Sequence, residues 1–140
     1  MNILKLLTPA RLIGNFGERA ACKYLKRKGY KILKRNYVGL NKREIDIIAR
    51  KDNVTAFVEV KTRSADYQSP NEPRPASAVT PEKQLGLITA AKCYIGYNRP
   101  NTRIRFDILE IYVKKQGRNR EIQKINHLEN AFNYNTALRR

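Results

Sequence analysis

The stretch EIDIIARKDNVTAFVEVKTR, residues 44–63, decides the fold. Two runs rich in isoleucine, valine and alanine flank Lys51–Asn53, and a short polar segment with Asp and Asn between such runs is typical of a tight turn. The stretch therefore predicts an antiparallel β-hairpin. With a two-residue loop at the turn, Asp46 faces Glu59, so the register brings two carboxylates together.

Four charged side chains share one face of the hairpin in this register: Glu44, Asp46, Glu59 and Lys61. The opposite face is predicted to carry apolar side chains typical of a core: Ile45, Ile47, Val58 and Val60. Two carboxylates that face each other cost about 0.2–1 kcal/mol, and more when they are removed from water. The charged face of an otherwise apolar hairpin therefore needs an explanation.

Two explanations fit the spacing of these charges. In the first, Mg²⁺ or Mn²⁺ binds to Asp46, Glu59 and the backbone carbonyl of Val60, because both ions prefer clustered oxygen ligands. Lys61 would then lie beside a phosphate and stabilise the negative charge that develops during its hydrolysis. The alternative is a solvent-exposed ladder of ion pairs that joins Glu44 to Lys61.

The rest of the chain predicts a mixed α/β fold. Apolar residues recur every three or four positions in one helix, which ends at Gly29, and a second helix begins at Thr80 and Pro81. Further strands are predicted over Tyr30–Val38 and Thr102–Val113. The order is therefore helix, three-strand meander, helix, strand, with a mixed sheet.

The organisation along the chain predicts one main domain and a tail. Residues 1–113 contain the predicted helices and strands, and residues 114–140 form a polar, basic C-terminal extension with a short helix. Ser64–Val79 contains three prolines without periodicity and is expected to be a long loop. No apolar run approaches the about 20 residues of a membrane span, and the N-terminal segment has a helical pattern rather than that of a signal peptide. We expect a cytoplasmic protein.

The composition limits the function further. The chain has 29 lysines and arginines against 12 aspartates and glutamates, a formal net charge of +17, which predicts a polyanionic partner such as nucleic acid. A charge that serves only solubility, and a basic tail that binds an acidic protein, remain alternatives. Two cysteines without a CxxC spacing and a single histidine argue against a zinc site. Chemistry must therefore come mainly from carboxylates and lysines.

The order of Asp46, twelve residues, and then Glu59-Val60-Lys61 resembles the PD-(D/E)-x-K nuclease superfamily. A wider match covers about residues 14–113: GNFGERAACKYLKRKGYKILKRNYV, REIDIIAR, FVEVKTR and VTPEKQ are similar to the YraN-like family of small bacterial proteins. The resemblance implies a restriction-endonuclease-like fold with a three-layer core, related to Holliday-junction resolvases. It also implies a homodimer, because resolvases of this fold act as dimers on a two-fold symmetric junction.

The resemblance also implies roles for individual residues. Glu18 matches the helix carboxylate of the family's GExxA pattern, which leans over the metal site in this fold. Asp46 matches the acid of GEIDLI, and Glu59 and Lys61 match VEVK. The implied catalytic set is Glu18, Asp46, Glu59 and Lys61, and the implied metal ligands are Glu18, Asp46, Glu59 and Val60. One position departs from the pattern: Arg43 replaces the usual glycine, so it either adds a phosphate contact or crowds the turn.

We therefore expect a Mg²⁺- or Mn²⁺-dependent nuclease that hydrolyses phosphodiester bonds in DNA, rather than RNA, and acts on branched or structured DNA. Candidate contacts to the nucleic-acid backbone are Arg43, Arg63, Lys83, Gln84, Arg103 and Arg105, and each of the last five could equally be an ordinary solvated side chain. Such contacts favour recognition by shape over base reading. The alternative is a nucleic-acid-binding protein without catalysis, which metal-dependent cleavage would distinguish.

Overall fold

The structure, a computed structural model, describes residues 9–65 and 79–138. Two of the helices are long and flank the sheet: α1 Pro9–Arg27 and α2 Pro81–Asn98. A third helix, α3, is short and spans Tyr134–Leu138. The strands are β1 Lys31–Val38, β2 Glu44–Lys51, β3 Val54–Ser64, β4 Arg103–Gln116 and β5 Asn119–Phe132. Most of the predicted proline-rich loop, residues 66–78, lies outside the described residues.

The five strands form one mixed sheet in the order β1-β2-β3-β4-β5. The first three strands are the predicted antiparallel meander, and β4 is parallel to β3, to which the chain returns after α2. The predicted order of helix, three strands, helix and strand is confirmed for these first six elements. None of the helices in the described ranges is long and apolar enough to cross a membrane.

The strand β5 was not predicted. The expected boundary at residue 113 lies inside β4, and residues 119–132 pair antiparallel with β4 as the edge of the sheet. Much of β5 is exposed, and only occasional apolar residues such as Ile122 and Ile125 contact the core. An edge strand of this kind can have a polar sequence, because its two faces are not both covered by the core. The expected short helix is present as α3.

The two long helices cover opposite faces of the sheet, which gives the expected three layers. The core beneath α1 contains Ala21 and Leu25 of the helix together with Ile47, Val58 and Leu109 of the sheet. The core beneath α2 contains Leu87, Ile88 and Ala91 of the helix together with Phe57 and Ile108. Alternate residues of each central strand therefore support different helices.

Local signals in the sequence fix the ends of the helices. Gly29 has φ +95°, and the amide of Tyr30 donates to the carbonyl of Leu25 at 2.9 Å, so the glycine allows the chain to leave α1 in a left-handed turn. Thr80 caps α2, because its hydroxyl oxygen accepts from the amide of Lys83 at 3.2 Å. This cap fixes the first turn of α2 next to the central strands.

The predicted register of the hairpin is confirmed from the turn to the middle of the strands. The pairs run from Lys51 opposite Val54 to Ile47 opposite Val58. The predicted arrangement of the apolar face is wrong at Ile45, which packs in the core beneath α2, whereas Ile47 packs beneath α1. Residues two apart share a face only in a regular strand, so β2 changes its orientation between these two positions.

The turn between β1 and β2 packs closely on α2. A side chain added at Gly39 would place its Cβ 2.7 Å from the Cα of Ala90, and the Asn41 side-chain amide donates to the carbonyl of Gly86 at 2.9 Å. The left-handed backbone of this turn falls on Lys42, with φ +65°. Arg43 is therefore accommodated at the usual glycine position without a strained backbone.

Substitution of Gly39 tests this close approach. We expect Gly39→Ala to lower the free energy of unfolding by about 1–3 kcal/mol, because the backbone of α2 must move to admit the methyl group. Gly96→Ala is the matched control: nothing lies within 4 Å of a Cβ at this exposed position of α2. It should raise the free energy of unfolding by about 0.5–1 kcal/mol, since alanine is the better helix former. Urea unfolding of both variants measures the difference, and an unchanged Gly39→Ala protein would contradict the packing.

Candidate functional site

The candidate site lies where the ladder between β2 and β3 ends. Beyond Ile47 and Val58, the carboxylate of Asp46 replaces the strand partner, and its Oδ2 accepts from the amide of Val60 at 2.8 Å. A side chain that accepts a ladder hydrogen bond holds the two strands together while their backbones separate. The gap that results opens towards both helical layers.

Three carboxylates meet on the α1 side of this gap. Oxygens of Glu18, Glu44 and Asp46 lie within 4.8 Å of one another. Glu18 reaches the strands because α1 approaches β3 closely: a Cβ at the preceding residue, Gly17, would lie 2.0 Å from Oγ1 of Thr62. The glycine therefore allows the helix to bring a carboxylate to the end of the hairpin.

Two residues of β1 stabilise this acidic cluster. A guanidinium nitrogen of Arg35 lies 3.7 Å from Oε2 of Glu18. With its amide oriented to donate, Asn36 binds Oε1 of Glu44 at 2.8 Å and Oε2 of Glu18 at 3.2 Å. Asn36 has φ +53°, a backbone conformation that asparagine tolerates better than most residues. Neither Arg35 nor Asn36 was predicted to belong to the site. The only signal in the sequence was that both lie in a strand next to the hairpin.

The negative charge of Asp46 is unfavourable in the folded protein. Burial, the neighbouring carboxylate of Glu59 and that of Glu18 raise the pKa of Asp46 to about 8, although the hydrogen bond from Val60 acts in the opposite direction. A raised pKa means that the folded surroundings disfavour the charged form of the carboxyl group. Further positive charge beside Asp46 would therefore be stabilising.

Two lysines meet on the α2 side of the gap. Oε1 of the buried Glu59 lies 2.7 Å from Nζ of Lys83 and 3.7 Å from Nζ of Lys61. Burial, and then the proximity of Lys83, lower the pKa of Lys61. Burial also tends to lower the pKa of Lys83, but the hydrogen bond to Glu59 and the charges of Glu59 and Asp46 together raise the pKa overall. Lys83 is therefore the principal counterion of Glu59.

The predicted residues gather here, but not all on one face as expected. Glu44 lies with Glu18 towards α1, whereas Glu59 and Lys61 lie towards Lys83 of α2. Asp46 interacts with both groups, since the carboxylates of Glu59 and Glu18 each raise its pKa. The separation of β2 from β3 explains the difference, since the predicted common face assumed a ladder that continues to Glu44.

The donor set suits a hard divalent cation. Carboxylate oxygens of Glu18, Glu44 and Asp46 are close enough to bind one ion, and Mg²⁺ and Mn²⁺ prefer such ligands. The raised pKa of Asp46 shows that its charged form is unfavourable in these surroundings, and a nearby cation would offset that cost. Glu44 was not among the predicted ligands, and Glu59 would need to exchange its contact with Lys83 to join them.

Two residues that were predicted to contact phosphate already make contacts within the protein. Gln84 is buried, and its amide nitrogen donates to the carbonyl of Val79 at 2.8 Å. Its oxygen has no hydrogen-bond partner in the described part of the chain. Arg43 lies against α2, where its Nε would be 3.0 Å from a Cβ at Gly86. Their roles in binding remain predictions.

The predicted contact Arg63 belongs to a second carboxylate group on the α2 face of the sheet. Its Nε donates to Oε2 of the buried Glu110 at 3.0 Å. The hydroxyl of Tyr112 and the side-chain amide of Asn126 bind the other oxygen of Glu110. This carboxylate is fully paired, in contrast to Asp46.

Arg105 belongs to a third group, on the α1 face. Its guanidinium donates to both oxygens of the fully buried Asp107 at 2.8 Å and also binds the hydroxyl of Tyr30. His127 and the amide of Asn130 complete the shell of Asp107. Burial alone would raise the pKa of Asp107, but these hydrogen bonds outweigh it and lower the pKa.

Arg103 differs from Arg105, because Arg103 is exposed at the start of β4. The two arginines were predicted together as backbone contacts. Their sequence pattern did not distinguish them, since the other partners of Asp107 come from β5, and the further partner of Arg105 is Tyr30, between α1 and β1.

A mixed five-stranded sheet between two helical layers, with carboxylates and lysines at the open end of its hairpin, defines an α/β protein consistent with a restriction-endonuclease-like core. Residues 17–111 match the uncharacterised protein family UPF0102, and the chain belongs to this family. The expected membership of a YraN-like family is thereby confirmed.

Curated relatives match over most of their length. A UPF0102 protein of Acetivibrio thermocellus is 40% identical over 124 residues, which cover 87% of this chain and 92% of the relative. UPF0102 protein Cphamn1_0017 of Chlorobium phaeobacteroides is 44% identical over 123 residues, covering 86% and 93%. A UPF0102 protein of Chloroherpeton thalassium is 44% identical over 124 residues, covering 85% and 92%.

The strain at Asp46 can be tested through stability. In metal-free buffer, we expect Asp46→Asn to raise the melting temperature by about 2–5 °C, because it removes a crowded charge and keeps an oxygen for the amide of Val60. Asp52→Asn, in the exposed turn of the same hairpin, is the control and should change the melting temperature little.

The gain in stability from Asp46→Asn should depend on pH. The folded Asp46 has a pKa of about 8 against a usual value of 3.8, so the folded state keeps a proton that the unfolded chain releases. The contribution of this group to stability therefore falls as the pH rises from 4 to 8. Urea unfolding with a chelator should show a larger advantage of Asp46→Asn at pH 8 than at pH 5. An advantage that shrinks as the pH rises would contradict the assignment.

The two arginines of β4 provide a matched test of the hydrogen-bonded group around Asp107. We expect Arg105→Ala to lower the free energy of unfolding by about 3–5 kcal/mol, because it leaves Asp107 buried with fewer counter-charges. Arg103→Ala removes an exposed charge and should change the free energy by at most about 0.5 kcal/mol. Chemical denaturation measures both values, and equal effects would show that Arg105 does not support the fold.

Proposed function

We propose that the protein is a cytoplasmic, Mg²⁺- or Mn²⁺-dependent nuclease that hydrolyses phosphodiester bonds in DNA, with branched or structured DNA as its substrate. One observation carries the proposal: the carboxylates of Glu18, Glu44 and Asp46 lie within 4.8 Å of one another, beside two lysines that share Glu59. Acids at close range destabilise the fold, so their concentration in a chain of net charge +17 needs a functional reason.

The residues have distinct roles in this proposal. Asp46 and Glu18 would hold the cation, with the carbonyl of Val60 as a further ligand, and Glu44 lies close enough to assist. Glu59 would join them after exchanging its contact with Lys83. The bound ion supplies Lewis acidity and a more acidic water molecule. Hydrolysis adds water across the bond between phosphorus and the leaving sugar oxygen: water loses a proton and the leaving oxygen gains one.

The two lysines provide positive charge on the other side of the gap. Nζ of Lys61 and Nζ of Lys83 both approach Oε1 of Glu59, so a phosphate beside Glu59 would be within reach of both. Fixed positive charge stabilises the negative charge that accumulates on phosphate oxygens during displacement. Lys83 thus joins Lys61 in the chemistry, in addition to its predicted role in binding the backbone.

A second candidate is a nucleic-acid-binding protein without catalysis. The contact that favours it is the 2.7 Å pair between Lys83 and Glu59, because a lysine that neutralises a ligand oxygen can replace a cation permanently. Both candidates bind nucleic acid in a salt-dependent way. Only the nuclease should respond to Mg²⁺ or Mn²⁺ with strand cleavage. A homodimer would suit a two-fold symmetric junction under either candidate.

Cleavage of a labelled panel tests the proposal: single strand, duplex, flap and four-way junction, each with Mg²⁺ or Mn²⁺. We expect Asp46→Asn, Glu59→Gln and Lys61→Ala each to lower the cleavage rate by about 10²–10³, with binding changed little. Glu129→Gln is the control, because this exposed carboxylate lies outside the cluster.

Two outcomes would contradict the nuclease. Tight, salt-sensitive binding with no cleavage of any substrate would favour the binding protein. Cleavage that persists in all three site variants would show that another protein in the preparation is responsible. The effect of Lys83→Ala on the rate, compared with its effect on binding, separates a role in chemistry from one in backbone contact.

A further inference from the structure

A groove of about 670 Å³ lies between α1 and β5, away from the acidic cluster. Its walls carry four basic side chains: Arg19, Lys23, Arg27 and Arg120. Glu18 projects from the same helix towards β1 and β2, whereas the groove lies towards β5 at the other edge of the sheet. Helix α1 therefore separates the groove from the candidate metal ligands.

The basic residues of the groove form no ion pairs within the part of the chain that the structure describes. None of the four forms an ion pair with another residue of the described ranges, and the groove contains a single acid, Glu121. Arg19, Lys23 and Arg27 follow one another at four-residue intervals, so they form a row with a rise of about 6 Å per step. This spacing is comparable to that of successive phosphates along an extended nucleic-acid strand.

The floor of the groove is apolar. Phe16 and Tyr24 line it from α1, and Ile122 and Ile125 line it from β5, all of them half-buried. A basic groove with aromatic side chains is the arrangement that single-stranded nucleic acid requires, because phosphates pair with the cations while base faces stack on the rings. A duplex hides its base faces by stacking and cannot present them to such a floor.

We propose that this groove binds a single-stranded arm of a nucleic-acid substrate. The inference rests on the proposed function, which it refines: the substrate would have a single-stranded arm on one side of α1 and its cleaved bond on the other. An acidic peptide could pair with the same cations, but its charged side chains would offer no planar bases to stack on Phe16 and Tyr24. The apolar floor therefore favours nucleic acid.

Binding of a labelled oligothymidylate to two matched double variants tests the groove. The first, Lys23→Ala with Arg120→Ala, removes two groove cations. The second, Lys26→Ala with Arg118→Ala, removes one exposed cation from the same helix and one from the turn between β4 and β5, both outside the groove. The two proteins have the same net charge, so any non-specific electrostatic effect is equal.

The groove variant should bind at least about 10-fold more weakly at 50 mM salt, and its salt slope should fall by about 1.4, since each phosphate contact to a single strand contributes about 0.7. The control variant should stay within about 2-fold of the original protein. Equal losses in the two variants would overturn the proposal. So would an oligoglutamate peptide that binds as tightly as the oligothymidylate and loses affinity in the groove variant.

A fluorescent side chain reports on base stacking directly. The chain contains no tryptophan, so Phe16→Trp introduces a single indole into the groove, and Tyr97→Trp introduces one at an exposed site on α2. Oligothymidylate should quench the indole at position 16 and leave that at position 97 unchanged. Equal quenching at both positions, or none at either, would contradict binding in the groove.

Cleavage assays separate this inference from the proposed function. The groove variant should slow cleavage of a flap while it leaves cleavage of a blunt duplex unchanged. Asp46→Asn should lower both cleavage rates by about 10²–10³ without altering oligothymidylate affinity. If no substrate is cleaved but the groove variant alone loses affinity, the groove is upheld and the nuclease fails. If cleavage depends on Asp46 but the groove and control variants behave alike, the nuclease is upheld and the groove fails.

Discussion

The hydrogen bond from the amide of Val60 to the carboxylate of Asp46 determines the shape of the site. In a continuing ladder, this amide would donate to a backbone carbonyl of β2, and the two strands would stay side by side. With a carboxylate as acceptor, β2 separates from β3, and Ile45 enters the core beneath α2. The gap lets groups from both helical layers meet at the end of the hairpin, although the sheet separates them elsewhere.

The buried carboxylates of the sheet differ in how well they are paired. Asp107 accepts from Arg105, His127 and Asn130, and Glu110 accepts from Arg63, Tyr112 and Asn126. Hydrogen bonds overcome burial and lower the pKa of Asp107, whereas burial and other carboxylates raise that of Asp46. A fold that satisfies two buried acids fully could satisfy a third. The strain at Asp46 is therefore a local property of the candidate site rather than poor packing of the whole protein.

The sequence predicts those parts of the structure that depend on local signals. The turn before Val54 fixes the register of the hairpin, and the caps at Gly29 and Thr80 fix the helix ends, because each acts over a few residues. The strand β5 was missed because its stability comes from pairing with β4 rather than from an apolar pattern. The predicted orientation of Ile45 was wrong, because the alternation of side chains between the two faces of a strand assumes an uninterrupted ladder.

The candidate site was predictable only in part, for a related reason. Asp46, Glu59 and Lys61 lie in the hairpin, so the register brings them near one another, and the resemblance added Glu18. The position of Asn36 depends on how β1 pairs with β2, and that of Lys83 depends on how α2 packs on the sheet. No pattern within either segment reports these tertiary contacts, which decide whether a charge is buried, paired or free.

The same distinction explains how the net charge of +17 is used. Arg35, Arg63, Arg105 and Lys83 approach internal carboxylates, so the fold itself uses much of their charge. The row of cations along α1 has no such partners in the described residues, although composition alone treats all basic residues alike. A paired arginine must give up a buried partner before it can bind phosphate, whereas an unpaired one releases only solvent and counterions. Affinity for a polyanion should therefore come mainly from the unpaired cations, and in the proposed nuclease the acidic gap would select the bond that reacts.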